Sequence, residues 1–165
     1  MQKQMLATEA IKFLGFPYEV EEFDSYLTSI GILERPDWKI SPMATCRNVE
    51  GGFSFLFGSK ATYEKYFGTA IIGGNMIFEG FSMYSSKNLD GLKGYSEVLP
   101  FGLSFDMRLE EVQAMLGNQN KDQLSGSNNT TYSWFNFNKM AVSVCFLFDN
   151  NISHILVEKA QLRDL

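Results

Sequence analysis

LPFGLSFDMRLEEVQAMLG (Leu99–Gly117), YSWFNFN (Tyr132–Asn138), MAVSVCFLF (Met140–Phe148) and ISHILVEK (Ile152–Lys159) together spell one short amphipathic helix and three strands. Leu109, Val112 and Leu116 recur at spacings of three and four, which puts them on one helical face, and Gly117 supplies the stop. The three apolar runs are bounded by Asn138-Lys139 and by Asp149-Asn150-Asn151, residues that favour tight turns. A helix followed by a three-stranded antiparallel meander is the expectation for this part of the chain. Between helix and strands, Asn118 to Thr131 reads as a polar loop, with Asn128-Asn129 near its end.

Working outward, the first half repeats the order of helices first and strands afterwards. Leu6 to Leu14 is expected to be helical, with Thr8 as N-cap, Glu9 in the first turn and Gly15 as the stop. From Pro17 a second stripe runs through Val20, Phe23, Leu27 and Ile30 and ends at Gly31. A connector holding Trp38 lies between Pro36 and Pro42. Met43–Val49, the turn Glu50-Gly51-Gly52 and Phe53–Phe57 form a hairpin pattern, because glycine supplies the positive φ of a tight turn. Ala61 to Phe67 fits a short helix or a strand. Gly73-Gly74-Asn75 is a turn, and a strand follows to Ser86. Ser85 to Gly94 is polar and contains glycine, so it reads as a linker between halves 1–84 and 95–165 of a single domain. The fold class is α+β, with short N-terminal helices and antiparallel sheet. Ala160 to Leu165 is too short to assign.

Composition limits what such a chain does. It has 165 residues, 15% of them aromatic and 15 of them Phe, which implies a sheet-rich aromatic core. The formal charge is −5 and the pI about 4.9. A duplex-binding surface needs a basic footprint, so direct nucleic-acid binding is not expected. No run approaches the roughly 20 apolar residues of a spanning helix, and Met1–Phe16 lacks the apolar core of a signal peptide, so a cytoplasmic protein with no membrane contact is expected. Cys46 and Cys145 each sit in a strand-like run, as buried free thiols of a reducing compartment do.

Chemistry finds little to work with. His154 is the one histidine. It alternates with Ile152 and Leu156, so all three are expected on one sheet face. Cys145 lies on the neighbouring strand, but burial in VSVCFLF would raise its pKa and leave it inert. Metal-ligand spacings and phosphate loops are absent from the sequence. Glu21-Glu22 and Glu110-Glu111 are adjacent pairs, which point about 100° apart on a helix and do not converge. Neither a catalytic site, a cofactor nor a metal is expected. What remains is an acidic stretch, Glu9, Glu19, Glu21, Glu22 and Asp24, which serves either solubility or a cationic protein partner. Phe16, Tyr18, Tyr26, Trp38 and Trp134 are candidate interface anchors. The expected partner-binding residues are Glu19, Glu21, Glu22, Asp24, Tyr26 and Trp38.

At Leu99–Glu158 the chain resembles bacterial immunity proteins of polymorphic-toxin and contact-dependent growth inhibition systems. The resemblance rests on Leu99-Pro100-Phe101-Gly102-Leu103, Glu110-Glu111-Val112, Leu116-Gly117, Trp134, Val142–Phe148 and Ile152–Val157. The same layout is similar to the beta-lactamase-inhibitor-protein-like fold. Arg108 stands where the family pattern has a capping Ser or Thr, with Asp106 as the nearest substitute, and Asn118 replaces the proline after Leu-Gly. The resemblance covers about 60 residues. It implies a non-enzymatic protein that binds one cognate toxin, such as a nuclease with a basic groove, and occludes its active site. The alternative is a non-catalytic ligand-binding or structural module with an aromatic- and Met-lined pocket.

Overall fold

The computed structural model describes residues 2–118 and 124–165. Its elements are α1 (Ala7–Ile11), α2 (Glu21–Ser29), β1 (Met43–Asn48), β2 (Phe53–Ser59), α3 (Lys60–Phe67), β3 (Met76–Tyr84), α4 (Leu109–Leu116), β4 (Leu124–Ser125), β5 (Asn129–Phe137), β6 (Met140–Leu147) and β7 (Ile152–Lys159). The class is α+β. All strands join one antiparallel sheet in the order β1-β2-β3-β7-β6-β5-β4. The meander of β5, β6 and β7 is therefore one flank of a larger sheet. The strand that closes it, β7, pairs with β3 from the first half.

Local chemistry accounts for most boundaries. Asn138 and Lys139 both take positive φ, 52° and 64°, which makes the two-residue turn between β5 and β6 twist with the strands. Asn48 secures the β1–β2 turn: its Oδ1 accepts from Gly51 N at 2.9 Å, while its Nδ2 donates to Ile30 O at 3.0 Å. The ambiguous stretch before Phe67 is helical, because Ser59 Oγ caps it by accepting from Thr62 N. At α1 the cap expected at Thr8 is not formed. The helix is a single short turn region whose N-cap is Leu6, with Thr8 inside it. Arg108 does precede α4, but neither it nor Asp106 caps the helix, since a guanidinium has no acceptor. Glu111 Oε1 instead accepts from Arg108 N at 3.1 Å. Part of the expected polar loop, Asn129–Thr131, belongs to β5, while 119–123 lies outside the described residues. The C-terminal residues form a 3-10 turn at Leu162–Asp164.

One sheet face carries the main core. Phe53, Phe55 and Phe57 of β2 meet Phe78, Phe81 and Met83 of β3, and Phe23 and Leu27 of α2 pack onto them. Phe78 is central: its ring stacks on Phe55 at 4.5 Å and Phe23 at 5.2 Å, and tilts against Phe57 and Phe81. The aromatic stripe continues under α4, where Val112 and Leu116 cover Val142, Val144 and Trp134. Trp134 Nε1 donates to Gly117 O at 2.7 Å, tying the end of α4 to β5. Ser85–Gly94 is anchored to the sheet by Ser85 Oγ, which donates to Ile152 O at 2.5 Å, and is folded on itself by Asn88, whose Nδ2 donates to Ser85 O and Leu92 O. Tyr95 OH then donates to Met5 O at 2.9 Å, so the segment after it lies against the N-terminus.

Truncating the ring that touches four others leaves a cavity that rigid neighbours cannot fill. Phe78→Ala is expected to lower the unfolding free energy by about 3–5 kcal/mol in urea titration.

Candidate protein-binding surface

The expected binding residues do not all reach solvent. Glu21 and Glu22 open α2 and are exposed. Glu19 Oε2 accepts from Asn75 N at 2.7 Å. Asp24 is engaged by Arg35, whose Nε donates to Oδ1 at 2.6 Å while Nη2 donates to the Asp24 carbonyl and to Thr28 Oγ1. Glu9 pairs with Lys3 at 2.6 Å. The acidic stretch is thus interleaved with Lys3, Lys12 and Arg35 and is less negative than its sequence. Tyr26 is a correction to the expectation: it lies in the core, because its position on α2 falls beside Phe23 and Leu27, on the face that meets the sheet. Its ring stacks on Phe13 at 4.8 Å, and burial pushes its phenol far up, with Glu9 and Tyr95 adding to the shift.

Trp38 does reach solvent, and its surroundings were not visible in the sequence. β1 is an edge strand, so one side of its backbone ladder has no neighbouring strand. Leu33, Trp38, Ile40, Met43 and Val49, from β1 and the segments that lead into and out of it, are exposed, Ile40 by 85%. A shallow cleft between Gly31–Glu34 and Thr45–Arg47 runs along that edge. Carboxylates flank it. Glu34 lines the cleft, while Glu19 and Asp37 act on the Tyr18 phenol, which is raised first by burial and then by these two acids, with Arg35 acting in the opposite sense. Cys46 is raised by burial, then by Glu34. The surface is a free strand edge, exposed apolar side chains and a mainly acidic border in which Arg47, in the cleft, and Lys39, over the Trp38 ring, also stand. The signal that could have found it is the alternation in Met43–Asn48, whose core-facing Cys46 and Asn48 leave Met43 and Thr45 outward.

A second concavity of about 620 Å³ lies between the start of α4 and the ends of β5 and β6, lined by Arg108, Tyr132, Phe146, Phe148 and Asn150 among others. Arg108 Nη1 donates to Asn150 O at 3.1 Å across it.

The sheet face opposite the main core brings His154 directly opposite Cys145 on β6 and Tyr84 on β3. Ile152 and His154 were expected to share a face. They do not, because the β6–β7 register slips between Cys145 and Phe146, making Ser153 an extra residue. Ile152 turns to the core with Ile155 and Val157, leaving His154 and Leu156 on the other side. The His154 ring lies 5.2 Å from Tyr84, and Nδ1 is 3.2 Å from Ser153 Oγ. Burial lowers its pKa, with Asp90 acting in the opposite sense. Burial raises the Cys145 thiol, partly offset by a hydrogen bond with Thr131. The pair is therefore neutral thiol beside neutral imidazole, the wrong protonation state for a nucleophile. Among the described residues no cluster of three or more His, Cys, Asp or Glu could hold a metal ion, and no helix is long and apolar enough to cross a membrane.

No family model matches the chain, and no curated protein matches it. Among solved structures it is similar to a DUF4309 family protein (YjgB) from Bacillus subtilis subsp. subtilis str. 168, at 14% identity and a TM-score of 0.45, over 82% of this chain and 76% of that one.

Both thiols are buried and raised. Treatment of the folded protein with an aromatic disulfide reagent at pH 7 is expected to leave Cys46 and Cys145 unlabelled, both reacting once denaturant is added.

Proposed function

We propose that the chain is a protein-binding protein, an immunity protein that neutralises a cognate toxin by covering its active site or substrate groove. The observation that carries the reading is the exposed apolar band Leu33, Trp38, Ile40, Met43 and Val49 beside the free edge of β1. Apolar side chains grouped in this way mark docking surfaces, and a half-exposed Trp is a frequent energetic anchor. The acidic border supplies the second element. Glu19, Glu21, Glu22, Glu34 and Asp37 present charge that a basic groove, such as that of a nuclease, would meet favourably and find quickly. A standard interface buries about 1,600 Å² in total, with about 20–30 residues on each side. Occlusion asks for no catalytic group from this chain.

A second reading, a ligand-binding module, is favoured by the groove of about 620 Å³ at Arg108, Tyr132 and Phe146. Its volume lies in the range of small-molecule sites.

The test is capture of the tagged protein's partner, reconstitution of the complex from purified components and assay of the partner's activity. A stoichiometric complex whose toxic activity is lost supports the proposal. A co-purifying small molecule with no protein partner supports the second reading. Within the complex, Trp38→Ala is expected to weaken binding at least tenfold. E21K/E22K is expected to slow association about tenfold at low salt and much less at high salt. Unchanged association at low salt would remove the acidic border from the interface.

A further inference from the structure

Among the described residues, two glutamates on the sheet face opposite the main core have no cation within ion-pair distance, and the backbone is shaped to hold them. Where β2 meets β3, Leu56 pairs with Gly80 and Phe57 with Phe78, so Glu79 is an extra, bulged residue. The bulge keeps Phe78 and Phe81 in the core while sending Glu79 to the other face. Glu79 is only 5% exposed, and its Oε1 has no hydrogen-bond partner. Its carboxyl rests on Gly58 of β2, where any Cβ would collide with it. Glu158 of β7 stands opposite Gly80, and its Cγ and Cα lie 2.8 and 3.1 Å from where a Cβ at Gly80 would be. Gly58 on β2 and Gly80 on β3 therefore leave room for the side chains of two glutamates on the same sheet face.

The groups that face this pair do not neutralise it. From β2 come Gly58 and Leu56, from β3 Ser82 and Ile77, and from β6 Ala141 and Ser143, none of them charged. On β7 the nearest titratable side chain of the same face is His154, held neutral by burial. Lys159 follows Glu158, but its ammonium donates to Tyr63 OH at 2.9 Å. α3 packs on β2 and β3 and brings Tyr63 and Phe67 over Ile77; of its charged residues Lys60 opens the helix, Glu64 accepts from Ala70 N and Lys65 lies over the Tyr66 ring. The C-terminal turn, packed on α3, brings Arg163 and Asp164, which lie 3.9 Å from each other. Burial pushes Glu79 up to about 7, with Glu158 adding to the shift, and burial alone pushes Glu158 up to about 7.

We propose that Glu79 and Glu158, two glutamates buried on one sheet face beside the joint, keep a proton in the folded protein and act as a pH-sensitive latch on the pairing of β3 with β7, the joint that unites the two flanks of the sheet. With a proton on the pair, one carboxyl is neutral and a single charge remains on this face. With the proton gone, two like charges are buried on one face beside the joint and raise each other's cost. The sign follows directly. The native state keeps protons that the unfolded chain releases near pH 4.5, so stability is highest below that value and falls as pH rises to about 7.

The experiment is a titration of the glutamate side-chain carboxyls by 13C NMR in the intact protein, with Tm measured from pH 5 to pH 8 for the unaltered chain and for E158Q. Expected are one carboxyl that keeps its proton to near neutrality, a Tm that falls by roughly 5 °C over the range, and an E158Q curve that lacks most of the fall. Glu79 and Glu158 both titrating near the ordinary glutamate value would overturn the proposal, as would equal pH slopes in the two proteins. If E158Q does not fold, E79Q replaces it, and the NMR titration decides independently. A gain in Tm on adding Mg²⁺ or Ca²⁺ at pH 8, abolished in the variant, would overturn the latch in favour of a cation site.

Discussion

The pairing of β3 with β7 holds this molecule together. It consists of five residue pairs, from Gly80 opposite Glu158 to Tyr84 opposite His154. On one side lie β1 and β2 with the helices that pack on them, and on the other β4, β5 and β6 with α4. β3 is buried along its whole length, on both faces. Its core-facing Phe78 and Phe81 belong to the aromatic stack of the first flank, while its neighbours Ile155 and Val157 on β7 belong to the same continuous core as Val142 and Val144. A single hydrophobic layer crosses the joint, and this turns two meanders into one sheet.

Much of this architecture was legible because its signals are local. The stripe Phe23, Leu27, Ile30 shows a helix, and Asn138-Lys139 shows a turn, through forces that act within a few residues. What could not be read is non-local. Nothing near Met76–Tyr84 says that its partner is Ile152–Lys159, so the halves looked like neighbours joined by a tether. Bulges escaped for the same reason. Ser153 and Glu79 are extra residues only with respect to the strand opposite, and one such residue moves His154 away from the face shared by Ile152. The candidate binding residues divide along the same line. Glu21, Glu22 and Trp38 are exposed as their polarity or setting suggested, whereas Asp24 is claimed by Arg35 from beyond the helix and Tyr26 by Phe13.

The two sheet faces have different characters. One is a dry aromatic layer sealed by α1, α2 and α4. The other is lined by Ser54, Ser82, Ser133, Ser143, Cys145 and His154, small or polar side chains in which hydroxyls meet one another, as Ser133 and Ser143 do at 2.9 Å. Pairing there is by hydrogen bond among buried polar groups, so charge and protonation matter on this side where shape matters on the other. The exposed apolar band belongs to neither face. It lies at the sheet's edge, where backbone groups and side chains are offered to a partner together.

The central place of β7 has a consequence for synthesis. On the ribosome β3 emerges about seventy residues before the strand that will cover its open edge, a delay of several seconds at ordinary elongation rates. During that interval β1, β2 and β3 form a three-stranded nascent sheet whose unpaired edge carries Phe81 and Met83. Such an intermediate invites pairing with other chains and is the kind of species that holding chaperones recognise. The yield of active protein would then be governed by protection of that nascent edge as much as by the stability of the finished fold.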